Sequence, residues 1–133
     1  MSSRTGDLTG PVVAATPVAA AETAAEALRL VNHLTLAAPS CGTPGWSDAG
    51  DVYRLLGELR IVADRLPQVC DQIVSGLQQL GERSGWLTDE GTTEHPDEVV
   101  STAVDALKTA SWIAEDVSLN LQHAHGAVAH LYQ

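Results

Sequence analysis

Phenylalanine is absent from this chain, and lysine occurs once, as Lys108. Aromatic residues make up only 4% of the sequence, so Ala, Leu and Val carry its hydrophobicity. Small aliphatic residues suit closely spaced helices better than a two-layer sheet. No stretch alternates apolar and polar residues over a useful length, which leaves no strand candidate. Nor does any apolar run reach the ~20 residues that a membrane span needs. The Ala-rich stretch 11–38 comes nearest, but Glu22, Glu26, Arg29, Asn32 and His33 interrupt it. Ala38, Pro39 and Ser40, just before Cys41, depart from a lipoprotein cleavage box. A signal peptide and a membrane span are therefore both rejected, and a cytoplasmic location is expected.

Cysteine is scarce too. Cys41 falls in a Pro/Gly-rich loop and Cys70 in a helical stretch, too few for a disulfide framework and too far apart for a zinc pair. Two free thiols in a reducing compartment are expected. Basic residues are outnumbered, with 7 Lys and Arg against 17 Asp and Glu and a net charge of −10. Such a chain is repelled by phosphate backbones, so no direct nucleic-acid partner is expected. The same charge favours solubility and basic protein partners.

What the chain does have is a long apolar seam. Val52, Leu55, Leu59, Val62, Leu66, Val69 and Ile73 follow one another in alternating steps of three and four. That period places all of them on one side of one helix. Leu77 and Leu80 extend the seam after one extra four-residue step, a local phase slip. The predicted helix runs from about Ala49 to Arg83. Pro67 interrupts its hydrogen bonding, yet the seam keeps its phase through the site, which predicts one continuous helix kinked near Pro67. The rival is a break near Leu66.

A matching seam runs through Val100, Ala103, Leu107, Ala110, Ala114, Val117, Leu121, Ala124, Val128 and Leu131. It predicts a helix from Pro96 to the C-terminus, with Asp97 and Glu98 complementing the dipole of its first turn. The connection over residues 85–95 is short enough to force the two helices antiparallel. A shorter helix is predicted from Pro17 to about Ala38, capped by Thr16. Residues 1–15, rich in Ser, Thr, Gly and Pro, read as a flexible tail. The expected fold is all-α: a single helical-bundle domain over residues 16–133, in which a long antiparallel hairpin is joined by a shorter N-terminal helix as a three-helix bundle. That helix is expected to cover part of what lies off the seams, namely Leu56, Cys70, Trp112, Ile113 and Leu119.

No motif carries catalysis. Gly42 and Gly45 lack the following Lys of a phosphate loop, and Ser, His and Asp occur in no triad-like arrangement. No enzyme activity and no cofactor are expected. His123, His125 and His130 draw attention as metal ligands, but two histidines on one helix usually sit four apart to share an ion. Here the spacings are two, five and seven. His123 and His130 share a face about 10 Å apart along the axis. They remain the candidates for a metal-binding or sensory role, which would need a further ligand such as Asp116 or His33. Histidines near a helix C-terminus also complement the dipole without any ligand. The acidic residues Asp89, Glu90, Glu94, Asp97 and Glu98 do not match a calcium loop and read as loop and capping acids.

The hairpin is too long for the first helix to cover fully. Apolar surface near Leu77, Leu80 and Trp86 is therefore expected to meet a second copy or another protein, with Trp112 and Leu119 as further anchors. The segment from Val52-Tyr-Arg-Leu-Leu-Gly-Glu-Leu-Arg to Arg65-Leu-Pro-Gln resembles small actinobacterial helical proteins that accompany plasmids, phages and other mobile elements. That class has no assigned activity, so the resemblance implies no site residues; a non-enzymatic accessory or regulatory factor of a mobile element is the expected role. The hairpin is also similar to small proteins exported by type VII secretion, which carry Trp-x-Gly between their helices. Here the turn reads Gly85-Trp86-Leu87, and the C-terminal export motif is not evident.

Overall fold

A computed structural model of the chain describes residues 16–132, so the tail expected over residues 1–15 lies outside the described residues. Among the described residues there are three helices and no strand: α1 (Pro17–Leu34), α2 (Ala49–Ser84) and α3 (Pro96–Val128). The all-α class with a long helical hairpin is the fold the chain adopts. Two compact units divide between Ser47 and Asp48.

In the first unit, Thr16 caps α1. Its hydroxyl accepts a hydrogen bond from the Ala19 N–H at 3.1 Å, and Pro17 opens the first turn. The helix ends at Leu34, short of the expected Ala38. There the Thr35 N–H still reaches the Val31 carbonyl at 3.0 Å, but the Leu36 N–H turns to the His33 carbonyl at 3.3 Å and tightens the chain out of the helix. The loop that follows closes on itself, with the Trp46 indole N–H donating to the Ala37 carbonyl at 2.7 Å. No residue of α1 is buried. On its surface Arg29 Nε donates to Glu26 at 2.9 Å, and this guanidinium holds the Glu26 carboxyl below the ordinary glutamate range.

The second unit is the hairpin. Asp48 caps α2 by accepting from the Asp51 N–H at 2.9 Å. The helix then continues through Pro67 without interruption, so the rival break near Leu66 does not occur. Proline lacks the N–H that would meet the Ala63 carbonyl, but the flanking turns hold the helix together. Gly85 ends α2 with φ +70°, a value open to glycine at little cost. His95 caps α3, its Nδ1 accepting from the Asp97 N–H at 3.2 Å. That helix stops at Val128 rather than at the C-terminus. Tight bonds, such as Leu131 N–H to the Val128 carbonyl at 2.9 Å, turn the chain there and leave Leu131 outside the helix.

Cross-helix contacts establish that α2 and α3 run antiparallel. Ser111 Oγ donates to the Pro67 carbonyl at 3.5 Å, Ser118 Oγ to Asp64 Oδ1, and His125 stacks on Tyr53. As the number on α3 rises, its partner's number on α2 falls.

The phase of the contact differs from the expected seam. Besides Asp51, buried at its start, the buried and half-buried residues of α2 include Leu56, Arg60, Ala63, Pro67, Cys70, Val74, Leu77 and Gly81, again in alternating steps of three and four. On α3 they include Val100, Val104, Leu107, Ser111, Ala114, Ser118, Leu121, His125 and Val128. Leu56 and Cys70, assigned to cover by the first helix, thus lie in the contact with α3. The expected seam of α2 is displaced by one residue. Val52, Leu55 and Leu59 are half-buried, but Val62, Leu66, Val69 and Ile73 are exposed, Leu66 by 45%. On α3 every second expected position holds, while Ala110 and Val117 are exposed. The reason is steric. Two backbones that approach closely accept Ala63, Cys70, Ser111 and Ala114 between them and push larger side chains to the flank.

Candidate functional site

The hairpin has two flanks of opposite character. Residues one position after a contact residue, such as Asp64, Glu115 and Gln122, face the same side. With Pro67, Ser118 and Leu119 they line one polar cleft. Ser118 hydrogen-bonds Asp64 across this cleft, and Arg60 Nε stands 3.9 Å from the other Asp64 oxygen. Farther along the same flank, Arg54, Glu58, Arg60 and His125 surround a second polar hollow.

In an antiparallel pair, positions just before a contact residue share the remaining flank. On α2 that flank carries Val52, Leu55, Leu59, Val62, Leu66, Val69, Ile73, Gly76 and Leu80. On α3 it carries Val99, Ala103, Ala106, Ala110, Ile113, Val117, Asn120, Ala124 and Ala127. None of these residues is charged. The central ones are open to solvent, Ile73 by 47% and Ile113 by 57%. Meanwhile Ala63, Val74 and Ala114 are the only buried hydrophobic residues among those described. The larger apolar surface of the hairpin is therefore outside its contact, not within it.

At the end near the connection, this flank runs into a cavity of about 180 Å³ lined by Leu77, Trp86, Leu87, Pro96, Val99 and Val100, among others. Trp86 folds back so that its indole lies over Gly81, and Leu87 beside it is 97% exposed.

The residues singled out as interaction anchors are dispersed. Leu80 lies on the apolar flank, and Leu77 and Trp86 line the cavity at its end. Trp112 and Leu119 lie on the opposite, polar side, with Trp112 65% exposed. The structure thus brings three of the five together. It adds Leu66, Val69, Ile73, Ile113 and Val117, which had been assigned to the internal contact or to cover by the first helix. The absence of charge along both stripes was the available signal for them.

His123 and His130 are both exposed, and His125 is engaged with Tyr53, ring centroids 4.0 Å apart at 21°. Among the described residues no group of three or more His, Cys, Asp or Glu side chains is placed to hold a metal ion. Cys41 is exposed and Cys70 half-buried, and both are free thiols. In the acidic connection, Asp89 accepts from the Gly91 N–H at 2.9 Å, a turn-forming bond of ordinary kind. Among the described residues no helix is long and apolar enough to cross a membrane. Compared with protein-family models, with curated proteins and with solved structures, the chain gives no match.

Proposed function

We propose that this chain is a helical interaction protein, acting by presenting one apolar face to another protein rather than by catalysis. The observation that carries the reading is the uncharged flank formed jointly by α2 and α3. The chain carries 24 charged residues, yet none of those on α2 and α3 lies on that flank. Its length from Val52 to Leu80 is about 42 Å at 1.5 Å per residue, and two helices side by side make it roughly 18 Å wide. That is about 750 Å², more than the largest apolar patch typical of a monomer. Exposed apolar surface of that extent costs solubility unless a partner covers it. An accessory or regulatory role exercised through binding follows.

The test compares the full chain with two variants in co-purification from host extract after brief chemical cross-linking. One variant is Leu66→Asp with Ile113→Asp, on the apolar flank. The other is Trp112→Ser, on the polar flank. Far-ultraviolet circular dichroism checks that helix content is kept. Association with self or with another protein is expected for the wild type and for Trp112→Ser, and lost in the double variant. Equal association by all three would overturn the reading.

A further inference from the structure

We infer that the occupant of the apolar flank is a second copy of this chain, related by a twofold axis running lengthwise along the hairpin, so that two hairpins make a four-helix bundle. The inference rests on the interaction reading above and specifies its partner and geometry.

Three observations carry it. First, the flank is unequal across its width. The α2 side is a ridge of large residues, Leu59, Val62, Leu66, Val69 and Ile73. The α3 side carries alanine at 103, 106, 110, 124 and 127, with Ile113 and Val117 as large residues at its middle. A lengthwise twofold lays the ridge of each copy over the alanine track of the other. Large side chains then meet alanine along most of both new contacts, with Ile113 and Val117 packing against the α2 ridge at the middle. A crosswise twofold would set ridge on ridge and alanine on alanine, leaving one contact crowded and the other hollow.

Second, a lengthwise axis, like a crosswise one, makes every neighbouring pair in the bundle antiparallel, so helix dipoles favour association in either arrangement. In each copy α2 already runs opposite to α3, so α2 of one copy also runs opposite to α3 of the other. Adjacent helix dipoles therefore oppose throughout, as in an up-and-down four-helix bundle.

Third, the dimensions suit a stable dimer. The strip of about 750 Å² per copy is close to the ~800 Å² per partner of a standard-size interface. No charge is desolvated on closing it, although each chain has a net charge of −10. Covering it also supplies what the hairpin alone lacks, since no large side chain among the described residues is fully buried.

Two measurements on the full-length protein test this. Sedimentation equilibrium from about 1 to 100 μM is expected to show a dimer for the wild type and for Trp112→Ser. Leu66→Asp with Val69→Asp is expected to weaken the dimer at least 100-fold. If that variant fails to fold, the wild-type melting temperature decides instead: it rises with protein concentration for a dimer and is constant for a monomer. The second measurement is a spin–spin distance from a single label at Thr93→Cys in a Cys41→Ser, Cys70→Ala background. The lengthwise axis puts the two connections at the same end, about 20–30 Å apart, whereas a crosswise axis puts them roughly 50 Å apart.

A wild type that stays monomeric at 100 μM would overturn the self-association, and a dimer untouched by the flank variant would overturn its placement on this flank. A dimer with the longer distance would overturn the lengthwise geometry. A monomeric wild type that still bound another protein through Leu66 and Ile113 would sink this inference alone and leave the interaction reading standing.

Discussion

The Trp86 indole rests against the bare backbone of Gly81. A Cβ at position 81 would come within 3.0 Å of the indole Cδ1 and closer still to Nε1. Gly81 is therefore a packing residue inside a helix, where glycine otherwise costs about 1 kcal/mol relative to alanine. Gly126, in α3, has open space around the same position. The two glycines make a matched comparison. Gly126→Ala is expected to raise stability by about 1 kcal/mol in urea unfolding. Gly81→Ala is expected to lose that gain and lower stability by about 1 kcal/mol, because the ring must move. In a Trp46→Phe, Trp112→Phe background, Trp86 emission should shift to the red only for the position-81 variant.

Pro67 sits in the middle of α2 and in the contact with α3. It denies the Ala63 carbonyl its donor, and Ala63 is buried. Pro67→Ala restores that bond. Up to about 3 kcal/mol is at stake in a helix interior. Part is offset because proline also restricts the unfolded chain, by about 0.4–1 kcal/mol, and because the half-buried ring fills space beside α3. A net stabilisation of about 1–2 kcal/mol is expected. Unchanged stability would mean that the ring's packing matters as much as the missing bond.

These two sites show what could be read in the chain before its structure and what could not. The alternation of three and four along α2 requires a helix, and its persistence across Pro67 marks that helix as continuous. Asp48 and Thr16 announce their caps by residue type. The phase of the contact was less visible, because hydrophobicity points to the largest side chains. Leu66 and Ile73 dominate such a pattern, yet the backbones meet at Ala63, Cys70 and Ala114, whose merit is their size. A helix with a small-residue face beside a large-residue face has two apolar phases one residue apart. Only the position of the second helix decides between them. His95 as a cap was missed for a similar reason. It precedes Pro96 like any loop residue, and its role depends on Nδ1 meeting the Asp97 N–H.

Where the connection is absent, the hairpin is held partly by Tyr53 and His125, stacked with centroids 4.0 Å apart. Gly57 gives this pair room, since a Cβ there would lie 3.2 Å from His125 Nε2. A double-mutant cycle with Tyr53→Ala and His125→Ala is expected to return a coupling of about 0.5–1.5 kcal/mol. Amide exchange near residues 53–57 should quicken in each single variant, while exchange near Trp86 should not. A coupling near zero would show that the rings are adjacent without stabilising each other.

Salt separates an apolar self-association from capture of a basic partner. Two copies bring together net charges of −10 each, to which the flank residues themselves contribute nothing. Their repulsion opposes association and is screened as ionic strength rises, the Debye length falling from ~10 Å at 0.1 M to ~3 Å at 1 M. The attraction comes from apolar surface, which such salt does not weaken. The dimer is therefore expected to tighten several-fold between about 0.05 and 0.5 M NaCl. A basic partner drawn by the acidic residues would show the opposite trend, because the same screening removes its attraction. A dissociation constant for self-association that rose with salt would place the contact on charged surface and away from Leu66 and Ile113.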